Sequence, residues 1–394
     1  MRMRKLSAMV LLFVLALITV SGCWSRRELN HLTIILGVAL DLKNDHHYIT
    51  VMGTDPTQGG GGKERSQGSG QGSPFVVTSA EGKTIFEAAR NLSLIMPRRN
   101  YWAHCEVVLV SEGYAREKGL RELLDFFTRD HERRRETYLI VTRGQAGEML
   151  KVMPTLSQYP AREIIEQIRL TRISAKGLVT ILNDFIAQSE GVTRTSLVNY
   201  MDIRNYGGNP EIPGQGEEKV QAGAGVFYNY KLIGLLNTRE TRGANWLRDN
   251  IKTGVISFAP EGEREKNTVL QIDRVKTKMK PLLKEEGGQV KYTIEVTGSL
   301  VEYGGKADIT KKETVKMLEK ACSEEIEKEI REIWKKAQRE LKTDIFLLGD
   351  KFAHAYPFLL KTDPSEWQEF FMALELELEV KTKINSAGVR GKPV

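Results

Sequence analysis

The sequence predicts an α+β protein with three successive mixed α/β domains, the last of which is a sheet packed against a long helix. Three observations predict this class. Strand and helix periodicities alternate along residues 31–141, strands rich in β-branched residues follow residue 254, and an apolar stripe with a 3.6-residue period runs along residues 310–342. A chain of 394 residues is long enough for two or three separate cores.

The first predicted domain, at residues 23–205, alternates strands with helices. Its predicted strands lie at 31–40, 48–54, 75–78, 106–110 and 136–141. Its predicted helices lie at 84–96, 120–127, 146–152, 162–170 and 175–188, the last with Ser174 as its N-cap. The segment at 57–74 is rich in glycine and serine and lacks large apolar side chains that could offset the entropy of ordering. It therefore predicts a mobile surface loop.

The second predicted domain, at residues 206–275, begins within a glycine- and proline-rich stretch at 205–218. Such a stretch is typical of a loop or a domain boundary. A strand hairpin around Asn229 and Tyr230 and a helix at 242–251 are predicted next, and strands rich in β-branched residues follow.

The third predicted domain, at residues 276–394, is dominated by the long helix. Its apolar residues recur every three or four positions, at Val315, Leu318, Cys322, Ile326, Ile330, Ile333, Ala337 and Leu341. This stripe drifts with a 3.6-residue period instead of keeping strict heptads, so we favour a helix packed on a sheet over a coiled-coil seam. An alternating strand at 375–385 is predicted to close that sheet.

Residues 1–22 predict a cleaved secretory signal peptide. Three cations among the first five residues precede an apolar run at 8–20, which is shorter than the ~20 residues that a membrane-spanning helix needs. The run ends in Val20-Ser21-Gly22-Cys23, a lipobox in which Cys23 becomes the first mature residue and its thiol carries a diacylglycerol. Two acyl chains hold a protein stably on a bilayer. The alternative is an ordinary signal peptide with an incidental cysteine.

Four residues directly after Cys23 are the candidates for contact with the membrane or with a partner: Trp24, Arg26, Arg27 and Glu28. An indole ring suits the membrane interface, and arginines can meet lipid phosphates. The alternative is a polar tether that only separates the first domain from the bilayer.

Three separated blocks carry a further signal. The first runs from Cys23-Trp24-Ser25-Arg26-Arg27-Glu28-Leu29 through an apolar segment that ends at Asp41. The second spans residues 103–130 and includes His104-Cys105-Glu106, and the third spans 223–243 and ends in Glu240-Thr241-Arg242-Gly243. In this order, the blocks resemble the Ger(x)C family of spore germination lipoproteins, over nearly the whole mature chain.

The resemblance implies that the chain is the lipoprotein subunit of a nutrient germinant receptor, required for germination in response to small nutrients. It implies two integral membrane subunits as partners, and a location on the outer face of the spore inner membrane, anchored through diacylated Cys23. It implies no reaction and no cofactor. Direct binding of a small molecule by this subunit is left open.

Composition gives little support to nucleic-acid binding. The formal charge is +7, and removal of the three signal-peptide cations leaves 7 − 3 = +4 on a chain that is 28% charged. No dense block of lysine and arginine with interleaved aromatic residues occurs. Two cysteines remain after Cys23, Cys105 and Cys322, and their separation predicts buried or unpaired thiols instead of a disulfide framework.

The sequence assigns no catalytic residue and no metal ligand. It lacks the zinc-protease, serine-hydrolase and phosphate-loop motifs. His104, Cys105 and Glu106 would alternate between the two faces of a strand, so the three cannot converge on a metal. Arg242 and Glu240 are interpreted as a pair that stabilises the fold.

Two other classes of function stay open from sequence. A lipid-anchored extracytoplasmic solute-binding protein would share the N-terminus, and it should show two similar lobes with a ligand cleft between them. A membrane-anchored hydrolase is disfavoured by the missing motifs.

Overall fold

The computed structural model describes residues 31–55, 75–129, 136–205, 207, 216–260, 268–285, 287–305, 307–358 and 363–386, together with Ser7 and Met9. The predicted loop at 57–74 lies outside the described residues. So does the predicted signal peptide, apart from Ser7 and Met9.

The described strands follow one another along the chain as β1 Leu32–Lys43, β2 His46–Thr54, β3 Phe75–Gly82, β4 Arg99–Tyr101, β5 Val107–Ser111, β6 Tyr138–Thr142, β7 Thr195–Asn205, β8 Glu217–Tyr228, β9 Lys231–Leu236, β10 Gly254–Phe258, β11 Thr268–Leu283, β12 Gly288–Tyr303 and β13 Glu375–Ser386.

The described α-helices are α1 Ile85–Asn91, α2 Glu112–Glu117, α3 Arg121–Arg129, α4 Ala146–Met149, α5 Pro160–Ser174, α6 Leu182–Glu190, α7 Thr238–Leu247, α8 Lys312–Lys336, α9 Leu348–Ala355 and α10 Pro364–Ala373. A short 3-10 turn, Leu92–Leu94, extends α1, and a π-helical turn, Ala337–Leu341, extends α8.

A nine-stranded mixed sheet, the large sheet, occupies the first part of the chain. Its strand order is β3-β2-β1-β5-β6-β7-β8-β9, with β4 added beside the first residues of β1. Strands β1, β5, β6 and β7 are parallel, whereas β2, β3, β8 and β9 join by antiparallel pairing. Every residue of β5 is buried. Burial on both faces is expected for a parallel strand with helices above and below the sheet.

A four-stranded sheet, the small sheet, has the order β10-β11-β12-β13. Alternate residues of β12 are buried, which is the pattern of a strand with one face on a core. Helix α8 covers that face with a continuous stripe that includes Leu318, Cys322, Ile326 and Ile330, all fully buried. The predicted packing of the long helix on a sheet is therefore confirmed.

The mixed α/β fold class is confirmed, with two sheets and one long packed helix. Residues 206–275, predicted as a middle domain, contribute β8 and β9 to the large sheet, and β10 with part of β11 to the small sheet. The predicted domain boundaries stay a prediction.

The predicted helix at 175–188 is wrong over its first half. Helix α5 continues to Ser174 and ends there, because the next residue, Ala175, adopts a left-handed conformation with φ 59°. The next helix begins only at Leu182. The amide of Asn245 donates hydrogen bonds to the carbonyl oxygens of Ala175 and Gly177, at 3.1 and 3.0 Å. These carbonyls bond to a distant helix, so tertiary contacts override the local helical pattern.

Candidate functional site

The predicted lipidation site, Cys23, lies outside the described residues, as do the contact candidates Trp24, Arg26, Arg27 and Glu28. Strand β1 begins at Leu32, which is 32 − 23 = 9 residues after Cys23. The surroundings of this N-terminal segment can therefore be described from Leu32, where the chain enters the large sheet.

The edge of the large sheet at which β1 begins is here called the amino-terminal edge. Strand β4 runs parallel to the start of β1, with Leu32 opposite Arg99. Strand β2 ends at the same edge and β3 begins there, since Thr54 pairs with Phe75. The first residues of β1 thus meet three other segments at one place.

Two clefts open at the amino-terminal edge. The first, about 360 Å³ in volume, is lined by residues that include Thr33, Phe75, Met96 and Arg98. The second, about 310 Å³, is lined by residues that include Ile34, Leu36, His104, Glu106, Tyr159 and Arg162. Adjacent strand residues project to opposite faces, so Thr33 and Ile34 place the clefts on opposite sides of the sheet.

Asp55 lines both clefts. Its carboxylate forms an ion pair with Arg98, at 2.6 Å between Oδ1 and Nη1. The second cleft also presents Glu106 and Arg162, so groups of both charges face a space large enough for a small polar molecule. These residues offer binding contacts to such a molecule.

A second cluster joins the two sheets. It consists of Arg239, Arg242 and Trp246 on α7 with Glu325 and Glu329 on α8, and is here called the sheet junction. Arg242 donates from Nε to Oε2 of Glu329 at 3.0 Å, and its Nη2 donates to the other carboxylate oxygen. Nη1 of Arg242 donates to the carbonyl oxygen of Val255 in β10, at 2.8 Å. One guanidinium therefore holds α7, α8 and the small sheet together.

The remaining members surround that pair. Arg239 contacts Glu325 at 2.8 Å and Glu329 at 3.1 Å, and the indole nitrogen of Trp246 donates to Glu329 at 3.4 Å. Glu240 does not pair with Arg242, contrary to the prediction from sequence. Its carboxylate instead accepts from Lys336 at 2.8 and 2.9 Å, and it forms a capping box with Asn237 at the start of α7. Glu240 and Arg242 both stabilise the fold, but each does so through a different partner.

Gly243 explains why α7 and α8 can lie so close. A Cβ atom at this position would lie 2.9 Å from the carbonyl oxygen of Glu329 and 2.9 Å from Cγ2 of Ile333. Only a residue without a side chain permits this approach.

Both parts of the chain match models of spore germination proteins. Residues 25–203 match the model described as spore germination protein N-terminal domain, and residues 222–388 match spore germination B3/GerAC like, C-terminal. The chain belongs to the spore germination B3/GerAC-like family.

Curated relatives align with this GerAC-like chain over nearly their full length. It is 27% identical to spore germination protein KC of Bacillus subtilis (strain 168) over 402 residues, covering 98% of this chain and 97% of the relative. It is 26% identical to spore germination protein B3 of the same organism, with 95% and 96% covered.

A crystal structure of the GerBC protein has the same fold as the GerAC-like chain. The TM-score is 0.53 at 21% sequence identity, and the match covers 89% of this chain and 97% of that chain.

The blocks that carried the resemblance have distinct places in the GerAC-like chain. Asp41, at the end of the first block, is buried and accepts the backbone N–H groups of Ala146 and Gly147, at 2.7 and 2.9 Å. In the second block, Cys105 is buried, while His104 and Glu106 are exposed and line the second cleft. The third block supplies the α7 side of the sheet junction.

Three kinds of feature were sought among the described residues of the GerAC-like chain: membrane-spanning helices, groups of metal ligands and disulfides. No helix there is both long and apolar enough to cross a membrane. No group of three or more potential metal ligands gathers there either. Cys105 and Cys322, both buried, are not joined by a disulfide.

Sequence reasoning missed several buried polar residues. Glu329 was not singled out from sequence, yet it is 2% exposed and pairs with Arg242. Asp344 is fully buried and accepts from Trp367 at 3.2 Å, from Phe346 at 3.0 Å and from Gly349 at 2.9 Å. No local pattern signalled these residues, because their partners lie far away in the sequence or in unpredicted turns.

Proposed function

We propose that this chain is the lipid-anchored subunit of a nutrient germinant receptor. In this proposal, Cys23 carries a diacylglycerol and the chain assembles with two integral membrane subunits on the outer face of the spore inner membrane. It takes part in the response to small nutrients without catalysing a reaction. The coarser role, in spore germination, follows from its family.

The observation that carries the proposal is the combination of a lipobox with family matches over both parts of the mature chain. The matches begin at residue 25, two residues after Cys23. The relatives that align from end to end are named as spore germination proteins. A lipid-anchored receptor subunit with this fold therefore accounts for both the predicted signal peptide and the rest of the chain.

The solute-binding alternative is less well supported by the architecture. Such a protein should have two similar lobes, but the two sheets here differ in strand number and in order. The two clefts lie at one edge of the large sheet, and their lining residues come from that sheet, its loops and the first turn of α5. A small ligand would fit in the second cleft whether or not the chain is a solute-binding protein.

The test is to delete the gene in its spore-forming host and restore it as wild type or as Cys23→Ala. Loss of spore refractility would be followed with a panel of nutrients. We expect the deletion to fail with one class of nutrient, and Cys23→Ala to rescue it only weakly. Cys105→Ala is the matched control, because it removes a buried thiol and leaves the N-terminus intact.

Normal germination of the deletion strain with every nutrient would contradict a non-redundant receptor role. Full rescue by Cys23→Ala would contradict the anchor. In either case, a thermal shift of the purified chain with each nutrient would test the solute-binding alternative.

A further inference from the structure

Two neighbouring aliphatic side chains project into solvent at the amino-terminal edge. Leu94 is 84% exposed and Ile95 is 59% exposed. The residues on either side, Leu92 and Met96, are buried, and the N–H of Met96 donates to the carbonyl oxygen of Leu92 at 2.8 Å. The turn is therefore fixed by its buried residues, and it presents the other two outward.

This turn lies close in space to the point where the N-terminal segment enters the fold, since Ile95 and Thr33 line the same cleft. Arg99 is four positions after Ile95 (99 − 95 = 4), and it lies directly opposite Leu32 in the sheet. Nine residues of extended chain span at most roughly 30 Å, so a lipid on Cys23 holds the start of β1 within about that distance of the bilayer.

The charge around the turn suits an anionic surface. Residues 83–101 contain four cations and one carboxylate, and Arg98 is paired with Asp55, so the segment and this partner together carry 4 − 1 − 1 = +2. Arg90, near the end of α1, and Arg99, at the start of β4, are both exposed on either side of the turn. Aliphatic groups beside arginines are the composition that binds the interface of an anionic bilayer.

We propose that Leu94 and Ile95 insert into the interfacial region of the anionic bilayer, with Arg90 and Arg99 facing lipid phosphates. This contact rests on the proposed anchor at Cys23 and adds an orientation to it. The amino-terminal edge of the large sheet faces the membrane, and the acyl chains and the turn hold the protein at two places.

The test uses the full chain with its acyl chains, purified from membranes and reconstituted into vesicles of equal parts phosphatidylcholine and phosphatidylglycerol. Leu94→Cys would carry an environment-sensitive nitrobenzoxadiazole label. Val301→Cys is the matched control, since Val301 is 51% exposed on β12 of the small sheet. Flotation of the vesicles reports the anchor, and quenching by nitroxide-labelled acyl chains reports the depth of each label.

We expect the protein to float, and the label at position 94 to be quenched at least about twofold more than the label at 301. Stronger quenching is expected at position 94 because an interfacial segment lies about 5–10 Å into the headgroup and acyl boundary, near the labelled acyl chains. The chain without an introduced cysteine measures any labelling of the two buried thiols.

The other outcomes separate the two proposals. A protein that floats with an unquenched label at 94 would overturn the turn's contact and leave the anchor standing, and so would equal quenching at both positions. A protein that does not float would overturn both. If the label is unquenched in vesicles but shielded from iodide in isolated spore membranes, the turn contacts a partner subunit and the lipid contact is overturned.

Discussion

Arg242 and Glu329 form a two-pronged ion pair between α7 and α8, with 3.0 Å between Nε and Oε2. The two residues are 6% and 2% exposed, so neither charge is solvated by bulk water. They are separated by 87 positions in the sequence. The pair therefore helps to fix the large sheet and the small sheet to one another through two helices.

Removal of one partner of this pair should destabilise the chain strongly. Arg242→Leu leaves the Glu329 carboxylate buried without its main counter-charge, which typically costs about 3–5 kcal/mol in the free energy of unfolding. Urea unfolding measures the loss. Arg331→Gln is the control, because Arg331 pairs with Glu327 at 3.7 Å on the exposed side of α8 and its loss should cost less than about 1 kcal/mol.

The double variant Arg242→Leu with Glu329→Leu should recover part of that loss. Both charges are then gone, and two apolar side chains occupy the space between the helices. Losses that simply add in the double variant would show that the two charges do not stabilise one another.

Gly243→Ala should separate α7 from α8. The new methyl group would lie 2.9 Å from a backbone oxygen of α8, and overpacking of this kind typically costs about 1–3 kcal/mol. Gly113→Ala in α2 is the control, because a Cβ atom there meets nothing within 4 Å. It should be neutral or stabilising by up to about 1 kcal/mol. Equal melting temperatures for the two variants would rule out a special role for Gly243.

Asp344 should make stability depend on pH. Burial raises the pKa of its carboxyl group to about 6, although the N–H groups of Gly349 and Phe346 partly oppose the rise. The folded chain therefore binds this proton more tightly than the unfolded chain, whose aspartate pKa is about 3.9. The contribution of Asp344 is most favourable below about pH 4, and it declines as the pH rises through 6.

The comparison for Asp344 is with Asp344→Asn, which cannot ionise. The stability advantage of the wild type over this variant should shrink by up to about 3 kcal/mol between about pH 4 and pH 7, as measured by urea unfolding at each pH. Asp184→Asn, at an exposed position of α6, controls for the loss of one carboxylate. An advantage that grows with pH would have the wrong sign for a raised pKa.

Cys23→Ala should leave the globular part folded. The described core begins at Leu32, nine positions after Cys23, so we expect folding to proceed without that side chain. The melting transition followed by circular dichroism should coincide with that of the wild type. Only partition into the membrane fraction should change. A lost or lowered transition would mean that the anchored segment contributes to folding.

Several elements of this fold are predictable from local pattern. The hairpin around Asn229 and Tyr230 is confirmed, because both residues have the positive φ that its turn requires, at 46° and 70°. The long helix is confirmed within a few residues, since its apolar stripe matches the face that it buries. In contrast, the predicted helix at 175–188 fails where Asn245, 70 positions from Ala175, takes the backbone carbonyls.

By itself, the sequence determined the mixed α/β class and most strands and helices, and the exported, lipobox-bearing N-terminus stays a prediction from sequence. These depend on contacts between near neighbours and on periodicity. Only the tertiary structure decided that β8 and β9 complete the large sheet, that Arg242 pairs with Glu329 and not with Glu240, and that Ile95 shares a cleft with Thr33 at the start of β1. Each of these depends on residues brought together from distant parts of the chain, and local pattern does not encode which distant group becomes the partner.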